Sequence, residues 1–409
     1  MMEPIDFPEE TNKRVEEIGS ADLVLGVTGS PAPDLLSAKL SELQPALASL
    51  KIAIAFAGTA ADPPISVPEN SIEFLRYPWT TLDPTAAPWL DISNAQRSIL
   101  ALGASLQARA CIVLHSDLAA LDAQMLPLLV QPVLEEKCDI VTPLYPEGPY
   151  DGLLNKSILA PFSRALYGRR VRTPLPSDFS ASGRTLQKLA DNGHASTQAE
   201  PQLLWPVNKI AMDTGRIFQA HLPIRHSVQT EGLDLSAVLA QLAGSLFAEV
   251  EECAAHWQRI RGSQPTEILG TAAALETEVA PIDVRPMIES FLLGSNSLEE
   301  VWRYVLPPST LLDLRRMTRL PHEIFRMPDE LWVRIVYDFA LAYRMRRISR
   351  AHLLGALTPL YLGWAASYTQ QAGGLTREAA DQRIEQLSRA YEENKAYLLS
   401  RWRWPERLA

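Results

Sequence analysis

Short apolar runs and longer helical periodicities alternate through the first half of the chain. Residues 21–27 read ADLVLGV and stop at Thr28, Gly29 and Ser30. Leu35, Leu36, Leu40 and Leu43 then recur at helical spacing behind Asp34, which is placed to cap that helix. KIAIAFA at 51–57 runs into Gly58 and Thr59 and then Pro63-Pro64, the pattern of a second strand and its turn. IEFLRY at 72–77 predicts a third strand, 93–108 a helix, and CIVLH at 111–115 a fourth strand ending at Ser116 and Asp117. A helix is expected over 122–137 despite Pro127 and Pro132, and DIVTPL at 139–144 reads as a fifth strand. Continuously apolar strands joined by helical crossovers imply an α/β fold with a mainly parallel sheet covered on both faces. Such sheets gather ligands at the carboxyl ends of their strands. The first candidate binding residues are therefore Thr28, Gly29, Ser30, Gly58, Asp62, Ser116 and Asp117.

The strand pattern fades after about residue 265, and the rest reads as an all-helical C-terminal region of five or six helices. Pro307-Pro308, Pro321 and Gly373-Gly374 punctuate it. Its last helix, from 377 to about 402, puts Ile384, Leu387, Tyr391 and Leu398 on one face. The expected organisation is a tail over 1–20, a ligand-binding α/β domain over 21–265 and a helical domain over 266–409. No fixed-period repeat and no low-complexity tract interrupts this plan.

Composition narrows the function classes. The 409 residues carry a formal net charge of -10, which argues against a general nucleic-acid binder, because phosphate contacts need a surplus of Lys and Arg. Three cysteines, Cys111, Cys138 and Cys253, without CxxC spacing, indicate neither a disulfide framework nor a zinc site and fit a reducing, cytoplasmic setting. The acidic N-terminal stretch is not the pattern of a secretory signal, and no apolar run reaches the eighteen or so residues of a membrane span. Neither GxGxxG nor GxxxxGK[ST] follows any expected strand, which disfavours a dinucleotide-dependent oxidoreductase and a P-loop enzyme.

The most distinctive stretch is 150–184, YDGLLNKSILAPFSRALYGRRVRTPLPSDFSASGR. Tyr150-Asp151-Gly152, Asn155, Ala165-Leu166-Tyr167-Gly168 and the run from Arg172 through Pro174 to Asp178-Phe179 follow one another at a characteristic spacing. In this the chain resembles bacterial family 2-type glycosyltransferases related to mannosylglycerate synthase and glucosyl-3-phosphoglycerate synthase. The likeness extends into 230–247 and the closing segment from Glu393 to Trp402. The resemblance implies a GT-A fold, that of nucleotide-diphospho-sugar transferases, and a Mg²⁺ or Mn²⁺ ion that neutralises the diphosphate leaving group. It also implies transfer of a sugar, with retention of configuration, to a small or lipid-linked acceptor. Under it Asp178 orients the donor sugar, Asp117 is a metal ligand with His226 (or His221) as a further one, and Asn208 stands at the acceptor-side catalytic position. Arg169, Arg170 and Arg172 form a basic cluster suited to a phosphate or an acidic acceptor.

Several charged groups of that motif set are replaced in this chain. His115-Ser116-Asp117 keeps only the second carboxylate of an Asp-x-Asp, Ile92 falls where a lysine meets the phosphates, and Asn208 replaces a carboxylate. The expected function is a hexosyltransferase that works alone or as a homodimer. The runner-up is a degenerate GT-A pseudoenzyme acting as a nucleotide- or protein-binding module.

Overall fold

In a computed structural model of the chain, residues 7–58, 72–78, 88–190, 202–223, 234–273 and 282–403 are described. The chain divides into two compact units. The first comprises Met1–Pro146, Thr173–Glu231 and Pro265–Ala274; the second comprises Glu147–Arg172, Gly232–Gln264 and Leu275–Ala409. Two segments inside the 21–265 span, Glu147–Arg172 and Gly232–Gln264, thus cluster with the helical residues.

The first unit is built on an eight-stranded sheet. Its strands are β1 (Leu23–Thr28), β2 (Ile52–Ala57), β3 (Ile72–Tyr77), β4 (Ala110–His115), β5 (Ile140–Leu144), β6 (Phe179–Ser182), β7 (Ile217–His221) and β8 (Glu267–Leu269). In space they run β8-β7-β5-β6-β4-β1-β2-β3. All neighbouring pairs are parallel except those of β6, which lies antiparallel between β4 and β5. An antiparallel strand in this place departs from the all-parallel order of dinucleotide-binding sheets, in keeping with the absent glycine fingerprint.

The five sequence-predicted strands form where their apolar runs lie, within two residues at each end. β6, β7 and β8 complete the sheet beyond them, β8 falling just after the point where the strand pattern was expected to end. The helices differ more. Helix Pro33–Leu47 starts with Pro33, so Asp34 sits inside the first turn and Ala32 takes the cap position without a side-chain bond. Helix Trp89–Ser105 begins four residues before the expected 93 and ends three before 108, and the expected 122–137 helix is Met125–Leu134. Asp122 instead accepts the Gln124 N–H at 2.8 Å, a turn that precedes the helix.

Helices cover both faces of the sheet, as the apolar strands require. On one face Leu23, Leu25, Val27, Ile52, Ile54, Ile112 and Leu114 pack with Leu36, Leu40 and Leu43 of helix Pro33–Leu47 and with Leu126, Leu129 and Val133 of helix Met125–Leu134. The alternate positions of β1 face helix Trp89–Ser105. There the strand and helix pack so closely that a Cβ on Gly26 would stand 2.0 Å from Ile99 Cγ2.

The second unit is helical. The π-turn Asn155–Leu159 leads into helix Ala160–Tyr167, which Gly168 ends in the left-handed conformation. The Ser157 carbonyl receives Trp332 Nε1–H at 3.1 Å and the Tyr391 hydroxyl at 2.7 Å. Phe162 packs against Phe247, Tyr337 and Tyr391. The buried Arg164 guanidinium reaches Glu385 at 2.5 Å and Glu392 at 3.0 Å. The helix expected over 377–402 is two, Arg377–Glu393 and Lys395–Arg403. They part at Asn394, whose amide donates back to the Ala390 carbonyl at 2.9 Å. No described helix is long and apolar enough to cross a membrane.

Candidate functional site

β1 lies between β2 and β4, and the chain leaves β1 toward β2 but leaves β4 toward β5, in opposite directions along the sheet, so the carboxyl ends of β1 and β4 mark the point where the strand order reverses and an open α/β sheet places its ligand. The described residues of three sequence-predicted loops, Thr28–Ser30, Gly58 and Ser116–Asp117, lie at this edge of the sheet. Thr28 is buried and donates to the Leu114 carbonyl at 3.2 Å, tying the tip of β1 to the tip of β4. Gly29 has φ +121° and, with no side chain, lies against Ser116; a Cβ would come 3.3 Å from Ser116 Cβ. Only glycine adopts that backbone without strain. Ser30 is exposed, and Gly58 N–H donates to the Tyr77 carbonyl at 3.1 Å.

Tyr77 splints this edge. Its hydroxyl donates to the Val27 carbonyl and accepts the Gly29 N–H at 3.0 Å, reaching across β2 from β3 to β1. Burial raises its phenol above the usual tyrosine range, so it stays neutral and donates.

Asp117 stands at the tip of β4 with its side chain 45% exposed. Its Oδ1 accepts the Ala119 N–H at 3.0 Å, and its Oδ2 lies 3.4 Å from His115 Nδ1. The same ring nitrogen is 3.4 Å from the Asp117 N–H. His115, standing where a first carboxylate was expected, therefore folds back on its own loop and leaves Asp117 facing outward.

Asp178 is 2% exposed and immediately precedes β6. Because β6 runs antiparallel between β4 and β5, its first residue abuts the carboxyl ends of both neighbours; Phe179 pairs with Val113. The carboxylate exploits this position. Its Oδ1 accepts the His115 N–H at 2.7 Å, and its Oδ2 accepts the Tyr145 hydroxyl and the Ser177 hydroxyl, the latter at 3.0 Å. Burial first, and the Asp178 charge second, raise Tyr145 well above the usual tyrosine range, so it too remains a donor. Asp178 thus fixes the loop carrying Asp117 from below, through bonds to the chain itself.

Helix Trp89–Ser105 borders the same loop. Gln96 donates to the Pro176 carbonyl at 3.1 Å, and Ser93 Oγ accepts the Leu204 N–H at 3.1 Å. Asp91, Ile92, Ser93 and Asn94 lie within the first two turns of that helix. Asn208 lies in the first turn of helix Pro206–Met212, is 1% exposed and is engaged within the protein.

Arg169, Arg170 and Arg172 belong to the second unit. Arg169 donates to Gln264 Oε1 at 3.0 Å, Arg170 to Ser263 Oγ at 3.0 Å, and Arg172 meets Asp381 at 3.2 Å. Asp234 caps helix Leu235–Glu252, accepting the Ser236 and Ala237 N–H groups at 3.3 Å each. Asp62 and His226 lie outside the described residues.

Among the described residues no three His, Cys, Asp or Glu side chains converge as a metal site. A Mg²⁺ ion takes six ligands in near-octahedral geometry, several of them waters, with one or two carboxylates from the protein. Asp117 supplies a carboxylate and His115 a nitrogen already turned to its own loop, a donor set that does not by itself make such a site.

The residues that sequence reasoning missed are Tyr77, Tyr145 and Gln96. Each tyrosine ends or directly follows a predicted strand, the one local signal that marked them.

The chain matches no family model and no curated protein. Among solved structures it is similar to glucosyl-3-phosphoglycerate synthase from Mycobacterium tuberculosis in complex with Mn²⁺, uridine-diphosphate-glucose and phosphoglyceric acid, at TM-score 0.36 and 15% identity over 60% of this chain and 84% of that one. The same synthase with Mn²⁺, uridine-diphosphate and phosphoglyceric acid gives TM-score 0.36 and 14% identity over 59% and 82% of the two chains. A mycobacterial protein gives TM-score 0.36 and 14% identity over 61% and 80%.

Proposed function

We propose that the chain is a GT-A glycosyltransferase that binds a nucleotide-sugar donor at the carboxyl edge of its sheet, between β1 and β4. The observation that carries this reading is the outward-facing Asp117 on a loop fixed by the Asp178 carboxylate, next to a glycine turn that lets backbone approach a ligand. The motif spacing over 150–184 supports the same class.

In this reading the β1 tip (Thr28, Gly29, Ser30) and Gly58 form the wall against the nucleoside. Ser116 and Asp117 face the diphosphate side, and Tyr77 holds the β1 tip in place. Asp178 acts as a positioning residue, since three donors of the chain already occupy its oxygens. Asn208 has a hydrogen-bonding part only, because an amide is no proton acceptor at neutral pH. Arg169, Arg170 and Arg172 are assigned to an acidic acceptor, small or lipid-linked. No step is routed through a divalent ion; one held between Asp117 and the diphosphate would supply leaving-group charge neutralisation, which the metal arm below reads directly.

The test is release of nucleoside diphosphate from a panel of nucleotide sugars, with and without Mn²⁺ and with acidic and neutral acceptors. The wild type should turn over at least one donor, and Asp117→Asn should lower the rate about a hundredfold, the scale of losing one preorganised electrostatic group. Nucleotide binding without turnover would reject transfer and leave a binding module. Absence of both would reject the donor site.

A further inference from the structure

In the second unit, the turn between helices Asp329–Met345 and Arg350–Ala372 reads RMRRISRAH over 344–352, four arginines and no carboxylate in a chain of net charge -10. Two of the four are braced against the helices. Arg344 donates to the Trp402 carbonyl at 2.8 Å and lies 4.6 Å over that residue's ring. Arg350 lies 3.9 Å over the Tyr343 ring and 3.2 Å from Glu251. The middle pair stands out from the fold. Arg347 is exposed, and Arg346 keeps 50% of its side chain exposed although it reaches Glu251 at 3.4 Å. Met345 and Ile348, interleaved with them, are only half-buried.

The stability of the fold does not call for this composition. Arg346 ends the first helix at φ +54°, the left-handed position that glycine takes without strain. Ser349 then caps the second helix, accepting the His352 N–H at 3.3 Å, and the first turn behind it opens on Arg350 and holds no acidic residue. The positive end of a helix dipole favours anions there and disfavours cations. A cation suits the C-terminal end of the first helix, but the second helix starts in the same turn and offsets that gain. A run that breaks local rules without a gain to the fold points to a function outside it.

Charge and apolar content together define the partner. Guanidinium groups pair with phosphate oxygens in bidentate fashion. A polybasic stretch is drawn to the negative surface of an anionic leaflet, and apolar side chains among its cations gain from the boundary between headgroups and acyl chains. A nucleic-acid backbone would use the arginines and leave Met345 and Ile348 without a role.

We propose that the 344–352 turn is a docking surface for the anionic headgroups of a lipid bilayer. It uses no residue of the donor site, so this proposal and the transfer reading stand or fall separately.

The experiment is co-sedimentation of the full-length chain with phosphatidylcholine vesicles, with and without phosphatidylglycerol, at low and high salt. The wild type should bind the phosphatidylglycerol vesicles, leave the neutral ones in the supernatant, and lose binding as salt screens the charges. Arg347→Gln and Arg346→Gly should each weaken binding about fivefold, the share of one arginine near an anionic surface. Arg346→Gly should also melt no lower than the wild type, because glycine relieves the left-handed backbone, which separates a docking part from a structural one. Equal sedimentation with both kinds of vesicle, or either variant binding at wild-type strength, would overturn the proposal. So would a duplex DNA or a single-stranded RNA that binds the wild type as tightly as the anionic vesicles do at the same salt, since the partner would then be a nucleic acid.

Discussion

Removing the Tyr145 hydroxyl tests how the site is held. Asp178 is buried and accepts three hydrogen bonds, from His115 N–H, Ser177 and Tyr145. Tyr145→Phe deletes one of these donors and keeps the ring. A hydrogen bond to a charged group contributes roughly 1.5–3 kcal/mol. In a domain of 150–250 residues each kcal/mol moves the melting point by about 2–4 °C, so a loss near the middle of that range should lower it by about 5–9 °C. Asp178→Asn should cost at least as much, because an amide N–H₂ group then faces donors on every side. The two residues act through one bond, so their double mutant should show a coupling of about 1–3 kcal/mol. Urea melts of the full-length chain give these values provided the slopes stay equal. A Tyr145→Phe variant within about 0.5 kcal/mol of the wild type, or one equally costly in both backgrounds, would refute Asp178 as the anchor of the β4 tip.

Further outcomes follow from single positions. Gly29→Ala forces a side chain into φ +121° against Ser116 and should cost on the order of 1–3 kcal/mol while weakening nucleotide binding; unchanged melting and unchanged affinity would count against the close approach. Gly183→Ala would set a Cβ 2.2 Å from the Ala108 carbonyl oxygen, which is backbone and has nowhere to go, so the variant should be strongly destabilised in thermal melts. In the second unit, Asp338 meets Arg401 at 2.8 Å and the Tyr397 hydroxyl at 2.9 Å, with Arg334 nearby, yet burial outweighs them and lifts its carboxyl to about 7. An acid raised in the folded state contributes stability below its ordinary value near 4 and loses it as pH rises toward 7, at most about 1.4 kcal/mol per unit. Asp338→Asn should flatten that slope. A wild type equally stable from pH 4 to 7, with the Asn variant weaker throughout, would mean the carboxylate is ionised and the ion pair dominates.

The first five strands were legible because each is a short run rich in apolar residues next to Gly, Pro, Ser or Asp, although Glu73 and Arg76 interrupt β3. β6 was not, since FSAS is short and half polar, and its antiparallel insertion between β4 and β5 has no local signal. The same holds for the membership of Glu147–Arg172 and Gly232–Gln264 in the helical unit, which is decided by contacts made far along the chain. At the site, strand ends pointed to Thr28, Gly29, Ser116 and Asp117, and the structure brings them together. The groups that hold them there act across 33 to 80 positions, as Tyr145 does on Asp178, Tyr77 on Gly29 and Gln96 on Pro176. Such pairings are invisible to periodicity. The motif spacing singled out Asp178 as a residue that orients a donor sugar; that it sits at this edge, with His115, Tyr145 and Ser177 as its donors, emerged only from the three-dimensional arrangement.

The central claim is that a nucleotide sits between the carboxyl ends of β1 and β4. A crystal structure of the full-length chain soaked with a nucleoside diphosphate and Mn²⁺ tests it directly. The account predicts the nucleoside against Thr28, Gly29 and Gly58 with its phosphates toward Ser116 and Asp117. A nucleotide bound elsewhere on the chain, with those residues untouched, would contradict it.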